Sequence, residues 1–203
     1  MKNIFVISYD CDKLGDYFKK CNEDLQDFIN SKKFSEIVIH CKHNLCNREN
    51  LHNELKKHNE NYLVVIYAHG DKDKIIDNNK NDIINIDDAI NYNNAIVYSS
   101  ACYSAEELGK KMHLYTCQMF YGYFRKAYIV SLYKETFIEL DNFALKEILQ
   151  DEDIEPIELC KKIDKYFDAR IEEMSSINKL VTPLLMHNRE SYKIYKNKEE
   201  YPK

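Results

Sequence analysis

The sequence predicts one α/β domain spanning residues 1–203, with a mostly parallel central sheet of about six strands and helices on both faces. Three observations carry this. Apolar runs of strand length alternate with 3.6-residue stripes along the chain. The central runs are apolar on both faces, as in parallel strands covered from two sides. The 203 residues hold 4 glycines and 3 prolines, fewer turn formers than a β-sandwich uses.

The elements follow in order. NIFVISYD (3–10) reads as a buried first strand. Residues 13–30 carry Leu14, Tyr17, Phe18, Cys21, Leu25, Phe28 and Ile29 at helical spacing, an amphipathic helix. SEIVIHCK (35–42) is a second strand, and NRENLHNELKKH (47–58) a polar helix with Leu51 and Leu55 facing inward. YLVVIYA (62–68) is a third strand. Residues 71–85 are polar and read as a surface excursion with a small hairpin around KIID and DIINI. IDDAINYN (86–93) is a short helix with Asp87 as N-cap. AIVYSSA (95–101) is a fourth strand and AEELGKKM (105–112) a short helix, acidic at its start and basic at its end as the helix dipole favours. A fifth strand is placed at AYIVSLY (127–133) and helices at 134–149 and 156–175, the latter with Pro156 in its first turn. LVTPLLMHN (180–188) and a sixth strand at YKIY (192–195) follow.

Bulk composition excludes several classes. The net charge of -5 lacks the basic footprint of a nucleic-acid binder, so no direct nucleic-acid partner is expected. No apolar run approaches the roughly 18 residues of a membrane span. Seven cysteines, an odd number at irregular spacing, and an opening MKNIFVISYD too brief for a signal segment point to free thiols in a reducing cytoplasm. HCKHNLC supplies His40, Cys41, His43 and Cys46, but the spacing fits no common zinc site. The expectation is no metal and no cofactor. His113 and Cys117 read as loop and core, and the GKKM dibasic pair as the end of a helix.

Two strings carry chemistry. YLVVIYAHGD ends a buried strand in His69-Gly70, and AIVYSSACYSAEEL ends another in Cys102. In open α/β sheets ligands bind beyond the carboxyl ends of the strands. If the two strands are neighbours, a thiol and an imidazole rise from one edge, the pairing a nucleophilic cysteine needs. Gly70, lacking Cβ, lets backbone approach closely, and the N–H groups of Gly70 and Cys102 are candidates for an oxyanion hole. The helix starting near Ala105 would add a positive dipole end.

The order of strand, His-Gly, polar excursion, short helix, strand and Ala-Cys resembles the caspase-like cysteine peptidases of clan CD. That group includes caspases, metacaspases, gingipains, separase and the CHAT domains. The matching residues are His69-Gly70 and Ala101-Cys102-Tyr103-Ser104. SSACYSAEELG looks most like the CHAT-type branch, as do FYGYFRKAYIVSLYKETFIELDNFALKEIL and the closing TPLLMHNRESYKIYKN. The resemblance implies a three-layer caspase-like fold and thiol endopeptidase activity, with His69 as base or acid, Cys102 as nucleophile and Gly70 at the oxyanion. It implies a protein or peptide substrate, and a separate regulatory or sensor protein in a bacterial stress or defence setting. Metacaspase- and clostripain-like members often carry an acid two positions before the cysteine. Ser100 stands there, so strong Arg or Lys selection through that position is not expected, nor is strict Asp selection. Asp10 and Asp12 follow the first strand and are candidate contacts to a basic substrate residue. Tyr121, Tyr123 and Phe124 are candidates for an aromatic groove taking an extended peptide. Two alternatives stand beside this: a binding or scaffold module with a silent Cys/His pair, and a flavodoxin-like domain, which the lack of a Gly-rich phosphate loop disfavours.

Overall fold

The computed structural model describes residues 3–9, 12–32, 37–42, 48–57, 61–77, 79–115, 117–196 and 199–202, with the main chain alone for 37–42 and 54. Strands β1 (Asn3–Ser8), β2 (Ile37–Lys42), β3 (Tyr62–Tyr67), β7 (Ala95–Ser99), β8 (Met119–Tyr123), β9 (Tyr192–Lys196) and β10 (Glu199–Tyr201) form the main sheet. Its order is β10-β9-β8-β7-β3-β1-β2. The five strands from β2 to β8 run parallel, and β9 and β10 are antiparallel. Two cores follow from strand alternation, which sends successive side chains to opposite faces. Ile4, Val6, Leu63, Val65, Tyr67 and Tyr98 meet helices α1 (Gly15–Lys32), α4 (Lys134–Gln150) and α5 (Pro156–Ile177) on one face. Phe5, Ile7, Val64, Ile66, Val97 and Phe120 meet α2 (Arg48–Leu55) and α3 (Leu108–Tyr115) on the other.

The α1 stripe is buried at Tyr17, Phe18, Cys21, Leu25 and Ile29, as its spacing predicts. The polar excursion is a second, antiparallel sheet of β4 (His69–Asp71), β5 (Lys74–Ile76) and β6 (Asp82–Asn85). The hairpin was legible; the strand made by His69-Gly70-Asp71 was not, because it carries no apolar residue. The following segment is a 3-10 helix (Ile86–Asn91), and its N-cap is Asn85 rather than Asp87. Asn85 Oδ1 accepts the Asp87 N–H and Asp88 accepts the Asn85 N–H, a reciprocal capping box.

Two expected elements are displaced. The strand after α3 is Met119–Tyr123, not 127–133. Its five residues are all buried, with Met119, Tyr121 and Tyr123 in one core and Phe120 in the other. Ala127, Ile129, Val130 and Tyr133 lie only partly buried against the α1/α4/α5 core, Tyr128 and Leu132 are exposed, and Ser131–Tyr133 forms a 3-10 turn. The short helix starts at Leu108, not near Ala105, after a run of turns from Cys102. α6 (Thr182–Arg189) precedes β9. Among the described residues no helix is long and apolar enough to cross a membrane.

Candidate active site

The connections from β1 and from β3 leave the sheet on opposite faces. α1 packs in one core, and Ile75, Ile83 and Ile84 of the small sheet pack in the other. The gap between the ends of β1 and β3 is therefore the topological switch point, where open α/β sheets form their ligand crevice. His69 sits at that point. Its Nε2 is hydrogen-bonded to Asp12 Oδ2, and the other carboxylate oxygen of Asp12 accepts the Leu14 N–H at 2.8 Å. The imidazole stands edge-on to the Phe18 ring, with centroids 5.5 Å apart. A carboxylate on Nε2 favours the tautomer with the proton there, leaving Nδ1 as the acceptor.

Cys102 lies three residues past the Ile66–Ser99 pair on β7, as His69 does on β3. The two ends touch through Gly70: a Cβ placed there would sit 2.4 Å from the Cys102 carbonyl oxygen and 2.9 Å from Ala101 Cβ. Glycine is therefore required by contact with the cysteine's own main chain. Tyr103 follows with φ of 61°, a left-handed conformation that costs a bulky residue energy and turns the chain sharply away from the sheet. Ser104 Oγ donates to the Ala101 carbonyl at 2.8 Å and the Ala105 N–H to the Tyr123 carbonyl at 3.0 Å. The N–H groups of Glu107 and Leu108 donate to the Lys72 carbonyl. The first amides of α3 are thus taken by the small sheet, and the dipole expected at Ala105 does not act on the thiol from there.

The Cys102 sulfur is half-buried and accepts the Ala127 N–H at 3.3 Å. Burial pushes the thiol up from its ordinary value, opposed chiefly by that N–H. The resting thiol is a poor nucleophile alone and needs a base.

Of the residues singled out in the sequence, His69, Gly70, Cys102 and Asp12 come together here. Asp12, read as a substrate contact, has its carboxylate on His69. Ser100, read as a pocket residue, is buried, and its N–H and Oγ both donate to the Ile66 carbonyl. Asp10 lies outside the described residues, as do His43, Cys46 and the side chains of His40 and Cys41. Tyr121 and Tyr123 are core rather than groove. Phe124 is half-buried, with Arg125 and Lys193 over its ring. His113 stacks on Tyr195, and Cys117 Sγ contacts the carbonyls of Ala95 and Met119. Among the described residues no three His, Cys, Asp or Glu side chains group as metal ligands. Ala127 and Asn188 carried no sequence signal, the first because its contribution is main chain.

No protein-family model and no curated protein matches the chain. Solved structures do. A secreted C11 cysteine protease from Bacteroides thetaiotaomicron, iotapain, superposes with a TM-score of 0.59 at 12% identity over 82% of this chain. The Arg-specific cysteine proteinase gingipain R superposes with a TM-score of 0.57 at 9% identity over 84%. This chain spans 62% of the first and 42% of the second. The fold is the caspase-like α/β fold of these proteases.

Proposed function

We propose that the chain is a cysteine endopeptidase that uses Cys102 as nucleophile and His69 as base and acid. The observation that carries this is the meeting of His69-Gly70 and Ala101-Cys102 at the switch-point edge of a caspase-like sheet. His69 takes the thiol proton and the sulfur attacks the scissile carbonyl. A C–S bond forms while the imidazolium protonates the departing amine and the C–N bond breaks. Water, deprotonated by His69, then hydrolyses the thioester and restores the thiol. Asp12 holds the imidazole and stabilises its charged form. The Gly70 and Cys102 N–H groups are our candidates for the oxyanion. On the string SSACYSAEELG we assign the chain to the CHAT-type branch, acting in the cytoplasm on a protein substrate under a separate regulatory partner.

Proteome-wide mapping of new N-termini tests the activity. Cleavages made by the wild-type chain should vanish with Cys102→Ala and with His69→Ala. Cleavage that persists in Cys102→Ala sinks the proposal. The partial cover of the sulfur favours one competing reading, a binding module with a silent pair. That reading expects no labelling of Cys102 by a thiol-reactive peptide probe.

A further inference from the structure

The segment after β8 crosses the nucleophile and is tied down on both sides. Toward Cys102, the Tyr103 N–H donates to the Arg125 carbonyl at 3.3 Å and the Ala127 N–H to the sulfur. Toward the end of α6, the Phe124 N–H donates to the Ser191 carbonyl at 2.8 Å, and His187 Nε2 donates to the Lys126 carbonyl at 2.9 Å. The Tyr128 ring packs edge-on against His187. The tightest tie is Asn188. Its Oδ1 accepts the Tyr128 N–H at 2.8 Å and its Nδ2 donates to the Tyr128 carbonyl at 2.8 Å. Asn188 is 3% exposed, so its amide is fixed by packing and stands in for the edge of a neighbouring strand.

We propose that Asn188 is a positioning residue for the nucleophile: by clamping the main chain of Tyr128 it holds the adjacent Ala127 N–H on the Cys102 sulfur. A hydrogen bond to sulfur favours the thiolate, whereas burial favours the thiol. The charged groups acting on the sulfur are Lys126 of the segment, which favours the thiolate, and Asp141 of α4, which opposes it. His69, with Asp12, lies on the neighbouring strand end. The N–H groups of Ala127 and of Cys102 itself both favour the thiolate, that of Ala127 the more. The inference rests on Cys102 as the reactive group but not on any substrate.

The test is the pH profile of Cys102 alkylation by iodoacetamide on the full chain, read by peptide mass spectrometry. In Asn188→Ala the midpoint moves to higher pH. On the rising limb the rate, relative to its own plateau, falls roughly three- to tenfold, the worth of one ordinary hydrogen bond. Ala127→Pro, which deletes the donor, moves the midpoint the same way. Should Asn188→Ala fail to fold, Asn188→Leu, which keeps the branched shape of the side chain without its polar atoms, decides. A higher plateau with a midpoint unmoved or moved to lower pH means that the segment only covers the sulfur and overturns the proposal; so does no change at all. A shifted midpoint in a chain that cleaves nothing leaves this inference standing and removes the peptidase. Cysteine-dependent cleavage with an unmoved midpoint does the reverse.

Discussion

His69 is fixed from two directions, by the Asp12 carboxylate on Nε2 and by the Phe18 ring. Since burial raises the Cys102 thiol, the proposed catalysis depends on a base of settled tautomer. Asp12→Asn keeps the shape but presents an amide able to donate to Nε2, which favours the opposite tautomer and removes the charge that stabilises imidazolium. We expect turnover to fall by roughly 10²- to 10⁴-fold with KM little changed, by analogy with other triads, measured on any peptide found by cleavage mapping. Turnover within a factor of about three of wild type would show that Asp12 serves only to cap the start of α1. The pairing was not legible in the sequence. Asp12 and His69 are 57 positions apart, and only the adjacency of β1 and β3 brings them together. His69 and Cys102 were legible because each ends an apolar run, and strand ends in a parallel sheet share an edge.

Between elements, Gly70 sets how closely the β4 end approaches the cysteine turn. Gly70→Ala would drive its Cβ into the Cys102 carbonyl, a backbone atom that cannot rotate away. The variant should lose about 1–3 kcal/mol of stability, the cost of overpacking, together with most thiol reactivity. Urea unfolding and iodoacetamide labelling read the two effects, and unaltered values for both would show that the strand ends are free to separate. Element identity misleads where propensity and packing part. AYIVSLY has the β-branched residues of a strand, yet its exposed edge serves as the tie across the thiol. MFYGY is the strand, although Gly122 weakens a strand pattern. That glycine admits Ser104 Oγ, which a Cβ would approach to 2.7 Å, and so belongs to the packing of the cysteine turn.

Across the whole molecule, the layer beneath the site is held by a buried carboxyl. Asp141 accepts the hydroxyls of Tyr17 and Tyr123 at 2.6 and 2.7 Å. Burial nonetheless pushes it up to about 6 from its ordinary 3.8. Folding therefore favours the protonated form. The stabilisation is full below the unfolded value and is lost as pH rises through the folded one, a change of about 3 kcal/mol for a shift of this size. Asp141→Asn carries no such proton. Its urea midpoint should gain on wild type as pH climbs from 3.8 to 6, and a constant difference across that window rejects the account. Layer order and helix faces were legible from periodicity. The carboxyl was not, because Asp141 stands in a helix stripe whose neighbours gave no sign of two tyrosines arriving from α1 and β8.

The tie across Cys102 has a consequence for the chain during synthesis. Cys102 and His69 leave the ribosome well before Asn188, which lies 60 positions beyond Tyr128. Contacts that distant close late. Until they do, Asn188 cannot hold Tyr128, and a half-made chain lacks the tie that lays Ala127 over the sulfur.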